Sequence, residues 1–159
     1  MRAADFSFQE FCSAMRLPRQ AFGVPMHPLL VHFPIALWFA TPVLDLAALY
    51  AGPEPWRTLA LGATILGILI GAAAIMTGLL EYLEPSVAGI DLRLAARHGV
   101  RTSLAWCAFA AKMIFITAFS PVAPWSITVC LAFDLLGCVL LVQGVYLGTK
   151  QVYEQLEKQ

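Results

Sequence analysis

The sequence predicts an all-α membrane protein: four transmembrane helices in an up-down bundle plus a short N-terminal amphipathic surface helix. Composition is the first reason. The 159 residues are 60% hydrophobic and 13% charged, and mean hydropathy is +0.76. A soluble domain is typically about 45–50% apolar and about 25% charged. The second reason is length. Four apolar runs, separated by proline-rich or charged stretches, can each cross a hydrocarbon core about 30 Å thick. In that solvent every backbone group must be satisfied internally, so the runs are helices.

Residues 1–25 form an arm. No apolar core or small-residue cleavage site precedes Pro18, so the arm is not a secretory signal. Ser7-Phe8-Gln9-Glu10 fits a capping box, in which Ser and Glu side chains cap the free amides of a helix start. Phe8, Phe11, Cys12 and Met15 fall on one helical face, and Pro18 ends the run. A short helix lying on the membrane surface is expected, with a disordered tail as the alternative. Met26 offers an alternative start.

Residues 26–148 form the membrane domain. The first span covers 28–51, interrupted by Pro34 and Pro42. Each proline removes a backbone donor and frees the carbonyl four residues earlier, on Leu30 and Trp38. The helix begins either at Pro28, with a kink, or at Pro34, with His32 as its cap. Gly52-Pro53-Glu54-Pro55 is a tight turn. The second span covers 56–80, with Gly67, Gly71, Ala74 and Gly78 on one face. Small residues let helices approach closely in lipid, so this face is a packing seam or clears room for a flat ligand. The polar connection 81–96 holds Glu81, Glu84, Asp91 and Arg93, and Asp91 is placed to cap the helix leading into the third span, 97–119. Pro121 and Pro124 make the next turn before the fourth span, 125–148. The tail, 149–159, is polar and expected to be helical.

Orientation follows from the basic residues. Arg2, Arg16, Arg19, Arg93, Arg97, Arg101, Lys150 and Lys158 lie on the side of the termini, Arg57 alone lies on the other, and Lys112 is within a span. That bias places both termini in the cytoplasm. The lipid bilayer is the first partner. Formal net charge is zero, and no basic face with interleaved aromatics suggests nucleic acid. Cys130 and Cys138 are eight apart in one helix, about 12 Å by helical rise, too far for a disulfide. The cysteines read as small packing residues.

Candidate chemistry gathers at the histidines. His27 and His32 open the first span and His98 opens the third. Both spans start on the same side, so all three histidines share one depth on diagonal helices. Inward histidines there can bracket a planar cofactor, as bundle cores do. Neutral imidazole is an ordinary axial ligand for haem b. Arg97 or Arg101 can pair with propionates, and Ala105 and Phe109 lie on the His98 face. Alternatively, the histidines hold zinc or copper, centred on His32 and His98, with Glu81 or Glu84 completing the site. The structural alternative is histidines hydrogen-bonded to carbonyls, with the freed Leu30 carbonyl at hand.

The opening His27-Pro28-Leu29-Leu30-Val31-His32-Phe33-Pro34-Ile35-Ala36, followed by Asp45-Leu46, resembles that of a bacterial integral-membrane family, domain of unknown function 2231. Gly78-Leu79-Leu80, His98 and the closing Gly144, Gly148 and Val152-Tyr153 extend the resemblance over about 26–153. It implies four spans. Many members continue after the last tyrosine with a basic residue, histidine and glycine, where this chain has Glu154-Gln155-Leu156. If that histidine is a ligand in the family, His32 or His98 must suffice here. Relatives joined to cytochrome-like modules imply redox work.

Three charged residues lie inside spans: Asp45, Lys112 and Asp134. Asp45 and Lys112 both lie roughly 10 Å below the outer end of their helices, at equal height because the two spans run in parallel. A lone charge there costs at least about 2.5 kcal/mol, so the two are expected to face each other inside the bundle. Asp134 is expected about one turn deeper. Such a group is a structural clasp or part of a proton path, unless Lys112 snorkels outward alone.

The leading functional expectation is therefore a b-type haem protein passing electrons to a quinone or a partner cytochrome. The second is a non-catalytic subunit or assembly factor of a larger membrane complex, and homo-oligomers are compatible with both. The third is a small ion or proton transporter, against which stands the lack of an inverted repeat. No hydrolase triad or phosphate loop is visible, so the chain reads as no enzyme on its own.

Overall fold

The computed structural model describes residues 20–21, 24–82, 91–119 and 124–157. They form four long helices: α1 (Met26–Ala51), α2 (Trp56–Tyr82), α3 (Leu92–Phe119) and α4 (Pro124–Leu156). Each carries an apolar stretch long enough to span a membrane. A two-residue antiparallel ladder, β1 (Gln20–Ala21) on β2 (Val24–Pro25), leads into α1. The amphipathic surface helix expected before Pro18 lies outside the described residues.

The sequence left two starts open for the first helix, and the observed one lies at Met26, earlier than either. From there α1 runs through both Pro34 and Pro42. Pro42 denies the Trp38 carbonyl its helical donor. That oxygen is instead approached by the Thr41 hydroxyl at 2.9 Å and the Cys138 thiol at 3.7 Å. Gly52, at φ 99°, ends α1, in the left-handed conformation that glycine adopts without a steric cost. Asp91 starts α3: its Oδ1 accepts from the backbone amides of Arg93 (2.9 Å) and Leu94 (3.3 Å), two donors otherwise orphaned at a helix start. α4 continues past 148 through the polar tail, where an exposed Lys150–Glu154 pair lies at 3.6 Å.

Contacts across the bundle fix its topology. α1 packs on α2 and α4, and α3 packs on the same two, leaving α1 and α3 diagonal. The start of α1 meets the end of α2, because His27 bonds to Ala74. The start of α3 meets the end of α4, because His98 bonds to Gly144. The end of α1 meets the end of α3 through Asp45 and Lys112. Neighbours are thus antiparallel, in an up-down arrangement.

The middle of the bundle is an aromatic layer. Trp38 stacks on Phe109 with ring centroids 4.6 Å apart and planes within 5°, packed among Ala105, Cys138 and Leu141. Such broad rings fit because the facing helices carry glycine. A Cβ on Gly71 would lie 2.8 Å from Trp38 Cη2, and one on Gly137 would lie 2.8 Å from Phe109 Cζ. Close packing of this kind holds helices together where lipid removes the hydrophobic drive. Leu66, Leu69, Leu135, Val139 and Val142 are exposed on the outside, as suits a surface solvated by lipid.

Candidate functional site

Polar side chains gather at both ends of the bundle, on the diagonal helices α1 and α3. At one end, His27 and His98 face each other with ring centroids 6.2 Å apart and planes at 89°. Each is held by the backbone of its neighbouring helix. His27 Nδ1 lies 2.7 Å from the Ala74 carbonyl, and His98 Nδ1 lies 2.7 Å from the Gly144 carbonyl. A carbonyl can only accept, so each Nδ1 carries the proton and donates, and a neutral ring then has its lone pair on Nε2. Glycine makes the seats: a Cβ on Gly78 would lie 2.8 Å from His27 Nδ1, and one on Gly148 would lie 2.9 Å from His98 Nδ1.

The other candidates at this end are dispersed. His32 is exposed. Five residues of helix turn it about 140° away from His27, so it joins neither histidine. The expectation that His32 pairs with His98 is corrected by that geometry: His27 takes the place. The Leu30 carbonyl is not the partner of any histidine. Arg97 and Arg101 are exposed, Glu81 is half-buried, and Glu84 lies outside the described residues. Among the described residues, no group of three or more His, Cys, Asp or Glu side chains is placed to hold a metal ion.

At the opposite end the groups are buried and paired with one another. Lys112 Nζ lies 2.7 Å from Asp45 Oδ2 and 2.8 Å from both carboxylate oxygens of Asp134. One ammonium thus bridges the two carboxylates. The side chains of Lys112, Asp45 and Asp134 are only 1%, 7% and 0% exposed. Asp134, expected about one turn deeper, meets Lys112 from α4. The Thr41 hydroxyl lies 2.9 Å from Asp134 Oδ1 as well as from the Trp38 carbonyl. With both carboxylates ionised, the group carries one negative charge more than Lys112 offsets.

Water can reach this group from outside. A cavity of about 170 Å³ runs from Glu54, Arg57 and Thr58 at the start of α2 down to Asp45 and Lys112, past Ile127 and Cys130. By the share of liquid volume taken by one water, about 30 Å³, it has room for several. Between the two ends stands the Trp38–Phe109 layer. The buried Trp38 Nε1 has no hydrogen-bond partner among the described residues.

Thr41, Trp38, Gly78 and Gly148 were not singled out as site residues in the sequence. Thr41 had a signal: it lies one helical turn before Asp45, on the same face. Gly148 had none, because its role depends on where α4 passes His98.

These features define a four-span helical membrane protein with polar groups at each end of its core. The chain belongs to the family described as Predicted membrane protein (DUF2231), whose pattern matches residues 23–156. No curated protein and no solved structure matches it.

Proposed function

We propose that the protein binds one haem b at the histidine end, where His27 and His98 would hold it, and passes electrons there. The perpendicular, carbonyl-anchored histidine pair carries this reading. The ring centroids lie 6.2 Å apart, within reach of one metal ion bonded to both rings at about 2.0–2.1 Å. Ligating histidines commonly donate their other ring nitrogen to a carbonyl, which fixes the tautomer and the ring orientation. A four-coordinate zinc would need further protein ligands, and none gather near the pair among the described residues. Haem asks the protein for at most two.

Each residue then has a role. His27 and His98 present Nε2 and are steered by Ala74 and Gly144. Gly78 and Gly148 leave space for the rings. Arg97 and Arg101, near His98 in sequence, are available to a propionate as charge-assisted donors. Haem, when bound, supplies one-electron chemistry that no side chain here can. The site falls on the cytoplasmic side of a bacterial inner membrane if the excess of Arg and Lys near the termini sets the orientation. A quinone or partner cytochrome would exchange electrons at that face.

The test is haem titration of the purified chain in lipid nanodiscs. One equivalent is expected to bind with a Soret band and a sharp α-band on reduction. Absence of both bands with excess haem would contradict the proposal.

A further inference from the structure

We infer that Asp45, Lys112 and Asp134 form a proton-binding site that exchanges with water only at the end of the bundle away from the histidines. This goes beyond the haem reading and does not rest on it.

Hydrogen-bond counting motivates the inference. Thr41 has one hydroxyl hydrogen and two oxygens at 2.9 Å, the Trp38 carbonyl and Asp134 Oδ1. The carbonyl can only accept. Both contacts become full hydrogen bonds when Thr41 donates to Trp38 and Asp134 Oδ1 bears a proton and donates to Thr41. Lys112 keeps its contacts to Asp45 Oδ2 and to the two Asp134 oxygens. No heavy atom need move. The added proton also brings the group from a net charge of minus one to zero, the state favoured where water is excluded.

The surrounding charges do not remove that excess. Asp45 faces the site from α1 and Lys112 from α3. From α2 comes Arg57, with Glu54 just before it, both at the cavity mouth. Cys130 and Cys138 are the titratable neighbours on α4 itself. Glu54 and Arg57 offset each other and leave the interior count unchanged.

The route is one-sided. The cavity connects Asp45 and Lys112 to the mouth at Glu54, Arg57 and Thr58. Toward the histidines, Trp38 and Phe109 are stacked with 3% and 0% exposure. The cavity reaches Lys112 and not Asp134, so a proton is taken up as Lys112 passes one of its own to Asp134 and regains one from water at the mouth, and it leaves by the reverse path. The site is a proton store and not a channel through the bundle.

Infrared spectroscopy of the full chain in lipid nanodiscs tests this. The wild-type protein is expected to show the carbonyl band of a protonated carboxylic acid near neutral pH. The band should shift when aspartate is labelled with carbon-13, disappear in Asp134→Asn, and fade at alkaline pH. Transfer to heavy water should shift it by exchange, several-fold more slowly in Thr58→Trp, which fills the mouth. A wild-type spectrum without the band at neutral pH would overturn the inference, and that result needs no variant to fold. So would a band indifferent to aspartate labelling or surviving in Asp134→Asn, or Thr58→Trp exchanging at the wild-type rate.

Discussion

The two ends of the bundle use the same diagonal helices in opposite ways. At one, His27 and His98 are anchored to backbone carbonyls of α2 and α4 and, among the described residues, to no side chain. Each ring therefore keeps a nitrogen to offer. At the other, the Lys112 ammonium is shared between Asp45 and Asp134. One end leaves a nitrogen of each ring unspent; the other is closed on itself except for its cavity. Backbone anchoring positions a group without consuming it, whereas side-chain pairing stabilises a group by consuming it.

Mutations should separate the ends. The largest effect is expected at Lys112→Met, which strands two carboxylates. Removing one partner of a buried pair typically costs about 3–5 kcal/mol, read as a lower melting temperature in detergent. Asp45→Asn, Lys112→Met and Asp134→Asn combined should recover part of that loss; strictly additive losses would break the picture of one cluster. Thr41→Val is expected to cost less, about 1–3 kcal/mol for leaving a buried polar group of Asp134 without its partner, with α1 otherwise intact by circular dichroism. Gly148→Ala should cost about 1 kcal/mol net, since crowding His98 is partly offset by the helix propensity of alanine. That variant should weaken haem binding more than it lowers stability. His32→Ala, at an exposed position, should change stability by no more than about 0.5 kcal/mol.

The sequence showed the closed end better than the open one. The four spans were legible because each apolar run is long and bounded by turn residues or charge. The meeting of Asp45 and Lys112 was legible because parallel helices convert equal distances from their ends into equal heights, and a charge in lipid needs a partner. Asp134 was expected about one turn deeper; that its acid meets Lys112 and Thr41 together could not be read from α4 alone. The histidine pairing was harder to read. Pro34 left the start of the first helix open, and the phase of that helix decides whether His27 or His32 points inward. With α1 running from Met26, the buried positions are Pro34, Trp38, Thr41, Asp45 and Ala48, and His32 falls off that stripe. The glycine face of α2 was legible as a place for close approach. What approaches it, Trp38 at Gly67 and Gly71 and His27 at Gly78, depends on the rotation of α1 and could not be read from α2 alone.

The most direct measurement is the reduced-minus-oxidised spectrum of three variants, His27→Ala, His98→Ala and His32→Ala, each expressed with ample haem and reconstituted in nanodiscs. If His27 and His98 are the open pair, each of those two variants loses the wild-type α-band while His32→Ala keeps it at full amplitude. Loss of the band in His32→Ala, or its survival in both His27→Ala and His98→Ala, would contradict the assignment.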